Sequence, residues 1–417
     1  MRLHYRRIGD YVTLVKLKNT DGTVSSLKGI NINKHFMPSV ANVNGTDLNT
    51  YRVVKKNQFA FNPMHVGRDE VLPISMLEDD NPIIVSPAYV VFEVKDEEEL
   101  LPAYLMMWCR RSEFDRNAWF MTDNSVRGGF SWADFCNMEL PIPSIEKQRE
   151  IVREYNVVNG RIALNEQLIQ KLEDAAQTIY KQWFVDFEFP ISKEYAESMG
   201  KPELEGEPYK SSGGEMKYCD IFDKEIPSHW CILTLSDVGD VVTGKTPPSS
   251  IKGAFGSDLP FITPTDYKNY KKCAFDSIRK LSEIGGRTLN NKLLPPKSLL
   301  VTCIGSDMGK VVVNEVSCIT NQQINALIPH QQHSEFLYYL FEDMYEYFRN
   351  IALGSSTMPM INKKDFEMIK IIYPISDILD FFESKISMFT SNIMLNKKQS
   401  YLLRNLNNLL LQKMTDV

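Results

Sequence analysis

The feature that most constrains this chain is an internal repeat. Residues 125–183 align with residues 356–414 at a constant offset of 231 positions, with no gap over 59 residues. The matched pairs include Ser125 with Ser356, Phe130 with Ile361, Asp134-Phe135 with Asp365-Phe366, Leu140 with Ile371, Pro143 with Pro374 and Asn165 with Asn396. Chance explains shared apolar positions, but not a shared proline, Asp-Phe pair and asparagine together. We therefore expect one structural unit to occur twice.

The repeated unit consists of a short apolar strand, a proline and a long helix. The strands lie at 138–143 and 368–374, and each ends at a proline. Apolar residues then recur at steps of four and three over more than four heptads, which is typical of a coiled-coil seam. The seam positions are 151, 155, 158, 162, 165, 169, 172, 176, 179 and 183 in the first helix, and 382, 386, 389, 393, 396, 400, 403, 407, 410 and 414 in the second.

We expect the two helices to pair with each other. Asn165 and Asn396 lie in the middle of the seam, where an asparagine costs stability but fixes register. In the alternative interpretation, each helix packs on its own domain and leaves its asparagine half exposed. A pseudo-twofold relation between the halves requires an antiparallel pair. A helix over 147–183 would be about 55 Å long, which spans at most about 16 base pairs of DNA, so it could hold two half-site readers apart.

Two heads account for most of the remaining sequence, at 1–144 and 228–374. Both contain strand-like runs followed by helical sequence, which predicts an α+β fold for each head. The central helix is assigned to 145–189, an acidic connector to 190–227 and the second helix to 375–417. The predicted fold class is thus α+β, with two heads separated by two long helices that form an antiparallel coiled coil, in a pseudo-twofold repeat.

The charge of the chain is unevenly distributed. The formal net charge of −6 argues against a nucleic-acid partner when it is taken as a whole. However, residues 1–68 carry a net charge of +8 (eleven Lys and Arg, three Asp), and residues 268–297 carry +6 (eight Lys and Arg, two acids). Residues 186–227 carry −6 (five Lys, eleven acids). Each head therefore has a basic stretch suited to phosphate and base contacts, although a solvated face would give the same pattern.

The candidate DNA-binding residues are polar or basic residues of these stretches and of the start of the second head. They are Lys34, Arg52, Lys55, Lys56, Arg68, Lys245, Thr246, Lys268, Lys271, Lys272, Arg279, Lys280, Arg287 and Lys292.

Several segments resemble one known family. They are residues 141–151 at the start of the first helix, 183–190 at its end, 206–216 in the connector, 226–230 where the connector meets the second head, Gly244-Lys245-Thr246-Pro247 in the second head, and 354–359. Together they make the chain similar, over essentially its whole length, to the specificity (S) subunits of type I restriction-modification systems. The second helix lacks a counterpart of Gln148, and the first head lacks the Ile-Pro-x-x-Trp sequence found at 226–230.

The resemblance implies a division of labour. Each head would be a target recognition domain that reads one half of a bipartite, asymmetric site in double-stranded DNA. The long helices would set the spacing and dock two methyltransferase subunits, and restriction subunits would join that core. The subunit itself would be non-catalytic and need no cofactor.

The sequence also argues against several other classes of protein. No run of about 18 apolar residues predicts a membrane span, and the N-terminus is not a secretory signal. Seven scattered cysteines without a C-x-x-C indicate reduced thiols in the cytoplasm. Neither the phosphate-binding G-x-x-x-x-G-K-[ST] motif nor the dinucleotide motif G-x-G-x-x-G is present.

Two other functions remain open at this stage. Asp80, Glu93 and Lys95 imitate the carboxylates and lysine of a stand-alone Mg²⁺ nuclease, and a coiled-coil adaptor without DNA affinity is also possible. Residues 62–65 (Asn-Pro-Met-His) only partly match an amino-methyltransferase motif. His330 and His333 are expected to lie in a solvated loop rather than to bind a metal.

Overall fold

The structure of the protein is a computed structural model. It describes residues 5–39, 46–64, 66–122, 129–305, 307–353 and 360–415, with the backbone alone at 67, 68, 352 and 353. The chain forms two compact units, Met1–Glu166 with Lys398–Val417, and Gln167–Lys397. The two internal boundaries are 231 residues apart (397 minus 166), so the second unit is one repeat period long. Ser125, Ser356 and the family-like segment 354–359 lie outside the described residues.

The first unit is built on an antiparallel sheet. Its strands are β1 (Tyr5–Arg7), β2 (Val12–Leu14), β3 (Lys28–Ile30), β4 (Phe36–Pro38), β5 (Arg52–Val54), β6 (Phe59–Phe61), β7 (Ile74–Met76), β8 (Ile83–Val85), β9 (Val90–Val94) and β10 (Glu139–Pro141). Its short helices are α1 (Ile8–Tyr11), α2 (Val66–Asp69), α3 (Pro102–Cys109), α4 (Ser112–Phe120) and α5 (Trp132–Asn137). The main sheet has the order β2-β9-β6-β7. Phe61, Phe92 and Phe135 pack together in its core: the Phe135 ring stacks on Phe61 with centroids 5.5 Å apart and lies tilted against Phe92 at 4.8 Å.

A long helix, α6 (Ile145–Tyr180), follows and ends in a π-helical turn, Lys181–Val185. The next helices are α7 (Lys193–Ser198), α8 (Leu235–Val238), α9 (Glu283–Thr288), α10 (Ser334–Asp343), α11 (Tyr345–Leu353), α12 (Lys363–Glu367) and the long α13 (Ser376–Lys413). The strands of the second unit are β11 (Met216–Cys219), β12 (Lys224–Pro227), β13 (Cys231–Thr234), β14 (Gly239–Thr243), β15 (Phe255–Gly256), β16 (Leu259–Ile262), β17 (Cys273–Ala274), β18 (Arg279–Leu281), β19 (Leu299–Thr302), β20 (Val311–Asn314), β21 (Ile319–Thr320), β22 (Ile324–Pro329) and β23 (Lys370–Tyr373). None of the described helices is long and apolar enough to cross a membrane.

The main sheets of the two units share one strand order. The antiparallel order β14-β22-β19-β20 in the second unit repeats β2-β9-β6-β7 in the first. The second unit adds β17 at the edge and a separate sheet, β15-β18-β16-β21. A two-stranded pair also recurs, because β1 pairs with β10 as β13 pairs with β23. The two heads thus have a common frame despite their divergent sequences.

The repeated Asp-Phe pair has a structural explanation. Ser131 and Asp134 form a capping box at the start of α5, and the Asn362 side chain accepts a hydrogen bond from the Asp365 amide at the start of α12. These contacts satisfy backbone donors that a helix N-terminus leaves unpaired. The phenylalanines that follow, Phe135 and Phe366, are completely buried. The pair therefore starts a helix and anchors it in the core.

The predicted seams and their antiparallel direction are confirmed within each unit. Most of the predicted positions are buried, and the others are at least half-buried. In the first unit, Asn159 bonds to Asn407, and Glu166 forms an ion pair with Arg404 at 2.5 Å. In the second, Trp183 stacks on Phe381 with ring centroids 5.4 Å apart.

Asn165 and Asn396, the two seam asparagines that the repeat aligns, are bonded differently. Asn165 reaches across the seam, and its Nδ2 donates to Gln399 at 3.0 Å and to the buried Ser400 hydroxyl at 3.2 Å. Asn396, one repeat later, donates instead to the Asn392 carbonyl of its own helix at 2.8 Å. Of these two aligned asparagines, only Asn165 therefore links the two helices through its side-chain amide. Its role in register stays a prediction.

The segment assigned as an acidic connector, 190–227, packs against the residues that flank it. Phe189 stacks on Tyr209 with centroids 4.5 Å apart, and on Trp230 at 5.4 Å. The β11–β12 hairpin and α7 complete this layer, which belongs to the main apolar cluster of the second unit. Acidic side chains remain on its surface, while its aromatic residues are buried. The segment is thus a folded part of the second unit.

In each unit, a long helix is hydrogen-bonded to the N-terminal turn of the helix that follows the last strand of the main sheet: α6 to α3, and α13 to α10. Gln148 of α6 is fully buried, accepts from the Leu101 amide at 2.9 Å and donates to the Glu99 and Pro143 carbonyls. In the second unit, Glu383 of α13 accepts from the Phe336 amide at 2.9 Å. Burial raises the pKa of Glu383 to about 8. Each head is therefore attached to a helix through hydrogen bonds that favour one orientation.

The asymmetry of the two asparagines predicts opposite effects of the same substitution. Asn165→Leu removes the hydrogen bond to the buried Ser400 hydroxyl, so we expect it to lower the free energy of unfolding by about 1–2 kcal/mol. Asn396→Leu breaks no bond between helices and adds apolar contact in the seam, so we expect a small increase. Urea unfolding of the two variants measures both values. Changes of the same sign would contradict the assigned contacts.

Candidate nucleic-acid interface

The structure removes Lys34 from the predicted DNA-facing set. The side chain is buried and forms an ion pair with Asp115 at 2.7 Å. Burial lowers the pKa of Lys34 and raises the pKa of Asp115, so desolvation outweighs their attraction in both groups. Lys34 also donates to the Cys109 carbonyl. These contacts give it a structural role in joining its loop to α3 and α4.

Of the other candidates of the first unit, Lys55 and Lys56 lie at the β5–β6 turn, Arg52 lies on β5 and Arg68 on α2. Lys55 and Lys56 are exposed, and Lys56 forms an ion pair with Asp80 at 2.7 Å across two exposed side chains. Arg52 donates through Nε to the Pro87 carbonyl at 3.1 Å. The side chain of Arg68 lies outside the described residues. Exposed pairs of this kind are weak, so Lys55 and Lys56 remain available to an anionic ligand.

Lys272 is likewise unavailable to DNA in this structure. Its side chain is only 2% exposed, forms an ion pair with Glu335 and donates to the Thr390 hydroxyl of α13 at 3.0 Å. The ammonium also lies over the rings of Tyr338 and Tyr339. Its neighbour Lys271 is 54% exposed but contacts α6, at 3.5 Å from Glu173. Both lysines thus connect the head to the long helices.

The remaining basic candidates lie around the smaller sheet. Lys268 is exposed. Arg279, on β18, stacks its guanidinium over Phe255, 4.0 Å from the ring centroid. Lys280 pairs with Asp276 at 2.9 Å and Arg287 pairs with Glu283, while Lys292 is half-buried. Lys271, Lys272 and Lys297 of this stretch pair with acidic residues outside it. The net charge of the stretch therefore overstates the positive charge that it presents.

Lys245 and Thr246 lie beside polar residues that the sequence analysis missed. The loop after β14 contacts the loop before β22, where Thr246 donates to Gln322 Oε1 at 2.8 Å. Lys245 and Gln322 are exposed. The signal was a run of three amide residues, 321–323, immediately before an apolar strand. Asparagine and glutamine are among the side chains that read base edges, so this loop pair joins the candidate interface.

The alternative nuclease site does not assemble. Asp80 pairs with Lys56, Glu93 accepts from Gln58 at 2.8 Å, and Lys95 donates to the Asp10 carbonyl at 2.8 Å. Among the residues that the structure describes, no group of three or more His, Cys, Asp or Glu side chains could hold a metal ion. This geometry gives the nuclease hypothesis no support.

The expectation of a solvated loop holds for one histidine only. His330 is partly exposed, 3.5 Å from Asp240. His333 is buried, and its two ring nitrogens lie 2.9 Å from the Tyr373 hydroxyl and 3.1 Å from Asp380. The prediction was wrong for His333, because the start of α10 packs against β23 and α13. Its partners are a phenol and a carboxylate rather than a metal-binding cluster.

The buried position of Lys272 predicts a loss of stability when its charge is removed. Lys272→Met leaves the Glu335 carboxylate buried without a cation, so we expect the free energy of unfolding to fall by about 3–5 kcal/mol. Lys271→Ala removes an exposed pair and should cost less than about 1 kcal/mol. Denaturant unfolding measures both changes.

A second variant tests the cause. Lys272→Met combined with Glu335→Met should recover much of the stability, because no unpaired charge then remains. Equal small losses for Lys271→Ala and Lys272→Met would show that the buried pair does not exist in solution.

Comparison with known proteins gives a consistent result. Residues 227–400 match the family model described as the type I restriction modification DNA specificity domain. The chain is 28% identical to the type I restriction enzyme HindI specificity subunit of Haemophilus influenzae, over 92% of this chain and 91% of that protein. It is 32% identical to the MjaIX specificity subunit of Methanocaldococcus jannaschii, over 45% of this chain and 44% of that protein.

A solved structure supports the same fold. The S subunit of a type I restriction-modification system from M. genitalium superposes with a TM-score of 0.59 and 13% identity, covering 99% of this chain and 96% of that one. At 13% identity, that likeness is evidence for the fold alone, whereas the sequence matches are evidence for common ancestry. The chain is therefore similar in sequence and in fold to type I restriction-modification specificity subunits.

Proposed function

We propose that this chain is the DNA sequence-recognition subunit of a type I restriction-modification complex. Each head would read one half of a bipartite, asymmetric site in double-stranded DNA, and the long helices would set the spacing between the half-sites. The observation that supports this most strongly is the recurrence of one sheet order in both heads, each attached to a long antiparallel helix pair. Two heads with the same main sheet but different loops could read two different half-sites in equivalent positions.

The chain would carry no catalysis of its own. Two methyltransferase subunits would supply the methylation, and restriction subunits would supply translocation and cleavage in the full complex. The proposal places the chain in the cytoplasm, where its seven free cysteines would stay reduced. The acidic net charge fits this division, because partner subunits would then neutralise much of the DNA phosphate charge.

Exposed apolar residues on the long helices indicate where the methyltransferase subunits would dock. In the first unit, Val157 and Leu164 of α6 are 67% and 59% exposed. In the second, Met388 and Leu395 of α13 are 59% and 65% exposed. Each residue of the second pair lies 231 positions after one of the first pair, so the repeat produces the same apolar pair twice. Contiguous exposed apolar side chains mark interaction surfaces, and two equivalent surfaces fit two copies of one partner.

The function is tested by expressing the chain with its methyltransferase partner and sequencing the methylated positions of the host genome. We expect a single two-part motif with an unspecified spacer. Gel shifts at increasing salt should show specific binding mainly in the presence of the partner, weakening as salt rises because phosphate contacts release counterions. Cleavage of DNA by the isolated chain with Mg²⁺ would instead favour the nuclease. Binding that does not respond to salt would favour an adaptor.

The docking surfaces give a stoichiometric prediction. Leu164→Glu places a charge on the first surface and Leu395→Glu places one on the second, so each should remove one methyltransferase subunit, and the double variant should remove both. Native mass spectrometry counts the subunits. Gln177→Glu is the control, because Gln177 is exposed on another face of α6. Unchanged stoichiometry in the double variant would rule these surfaces out.

A further inference from the structure

One polar loop pair in the second head is rigidly assembled at the end of the main sheet. The Gly244 amide donates to the Ile324 carbonyl at 3.1 Å, and the Lys245 amide donates to the Thr320 carbonyl at 2.8 Å. Gly244 has no room for a side chain, since a Cβ atom there would lie 2.2 Å from the Asn321 carbonyl oxygen. The loop after β14 and the loop before β22 are therefore held backbone to backbone.

The side chains of this loop pair are oriented by their own hydrogen bonds. The Thr246 hydroxyl donates to Gln322 Oε1 at 2.8 Å. Asn321 and Gln323 bond to each other, through Asn321 Nδ2 to Gln323 Oε1 at 2.9 Å and through the Gln323 amide to Asn321 Oδ1 at 3.1 Å. Gln322 is exposed, and within the described part of the chain its Nε2 has no acceptor. Its two N–H donors are thus free for a ligand.

The available donors define the class of ligand. The Thr246 hydroxyl occupies one side of Oε1, so the amide presents mainly N–H groups. In the major groove, guanine, adenine and thymine offer acceptors, whereas cytosine offers only its amino donor. Lys245 lies next to Thr246 in the chain, is exposed and forms no ion pair among the described residues, so its ammonium is available to a phosphate.

We propose that Gln322 is a specificity-determining residue of the second head. Held by Thr246, its amide reads a base that presents an acceptor in the major groove, and Lys245 contacts a neighbouring phosphate. This inference rests on the proposed function, because it assigns one base contact within one half-site.

The first head has different side chains at the equivalent place in its main sheet, as expected if the two heads read different half-sites. The chain after β2 and the chain before β9 meet there, where the Val15 amide donates to the Val91 carbonyl at 2.9 Å. The exposed Lys16 follows β2, but residues 86–89 before β9 read Ser-Pro-Ala-Tyr and contain no amide side chain. The frame is thus shared, while the groups that can contact bases differ, as an asymmetric site requires.

The test uses the full complex with its methyltransferase partner and reads the methylated motif by genome sequencing. Gln322→Glu replaces the N–H donors with an acceptor of the same shape, which suits the amino group of cytosine. We expect the preference at one position of one half-site to change. Methylation of sites that carry the original base at that position should fall roughly ten- to a hundredfold, and sites with cytosine there should become methylated. The other half-site and the spacer should be unchanged.

Three further variants sharpen the result. Gln322→Ala should relax the same position without favouring cytosine. Lys245→Ala should weaken binding for all sequences and reduce the slope of log affinity against log salt by about 1. Gln332→Glu is the matched control, because Gln332 is an exposed glutamine beyond the opposite end of β22 and should leave the motif unchanged.

The outcomes separate this inference from the proposed function. If the unmodified complex methylates no two-part motif, the proposed function fails. If it does, and the Gln322→Glu and Gln322→Ala complexes methylate the original motif with unaltered preference, only the role of Gln322 is refuted. Should the Gln322→Glu complex not assemble, the Gln322→Ala complex decides in the same way.

Discussion

The attachment of each head to a long helix is the interaction on which the rest of the structure depends. The backbone donors at the start of a helix need acceptors, and a buried donor without one is costly. Gln148 supplies an acceptor to the turn before α3, and Glu383 supplies one to the start of α10. Because hydrogen bonds are directional, they resist rotation of the head on the helix more than apolar packing does. Base reading requires such a constraint, since a small rotation would displace every loop.

The two attachments show that the repeat preserves geometry rather than residue identity. The counterpart of Gln148 is Leu379, which is buried in the apolar cluster of the second unit. The counterpart of Glu383 is Val152, which packs against the cluster of the first unit. The polar contact has moved by four residues, or about one helical turn, and still reaches the helix that follows the last strand of the main sheet. Leu379 cannot make the hydrogen bond that Gln148 makes, and Glu383, four residues later in α13, makes one in its place.

The sequence predicted the elements whose pattern is local and periodic. The seam positions follow from spacing and the antiparallel pairing from the repeat, and the structure agrees with both. The strands before the two long helices lie within the predicted ranges but are shorter, at Glu139–Pro141 and Lys370–Tyr373. The shared sheet order was not predictable, because most strands have only three to five residues and too little pattern to assign partners. Lys34 and Lys272 were misjudged for a different reason. Their carboxylate partners lie 81 and 63 residues away in the sequence, so a local basic run could not reveal that two of its lysines are internal.

The buried lysines also change what the charge distribution means for DNA recognition. Lys34 and Lys272 are neutralised by carboxylates inside the fold, so they stabilise the heads but add little to the positive electrostatic potential at the surface. The surface then offers a few exposed cations, such as Lys55, Lys245 and Lys268, among neutral polar side chains. A surface of this kind gains little affinity from phosphate contacts alone, so discrimination between bases has to come from positioned donors and acceptors. Rigid loops at the end of a sheet, rather than a strongly basic face, are therefore the part of each head in which sequence specificity is expected to lie.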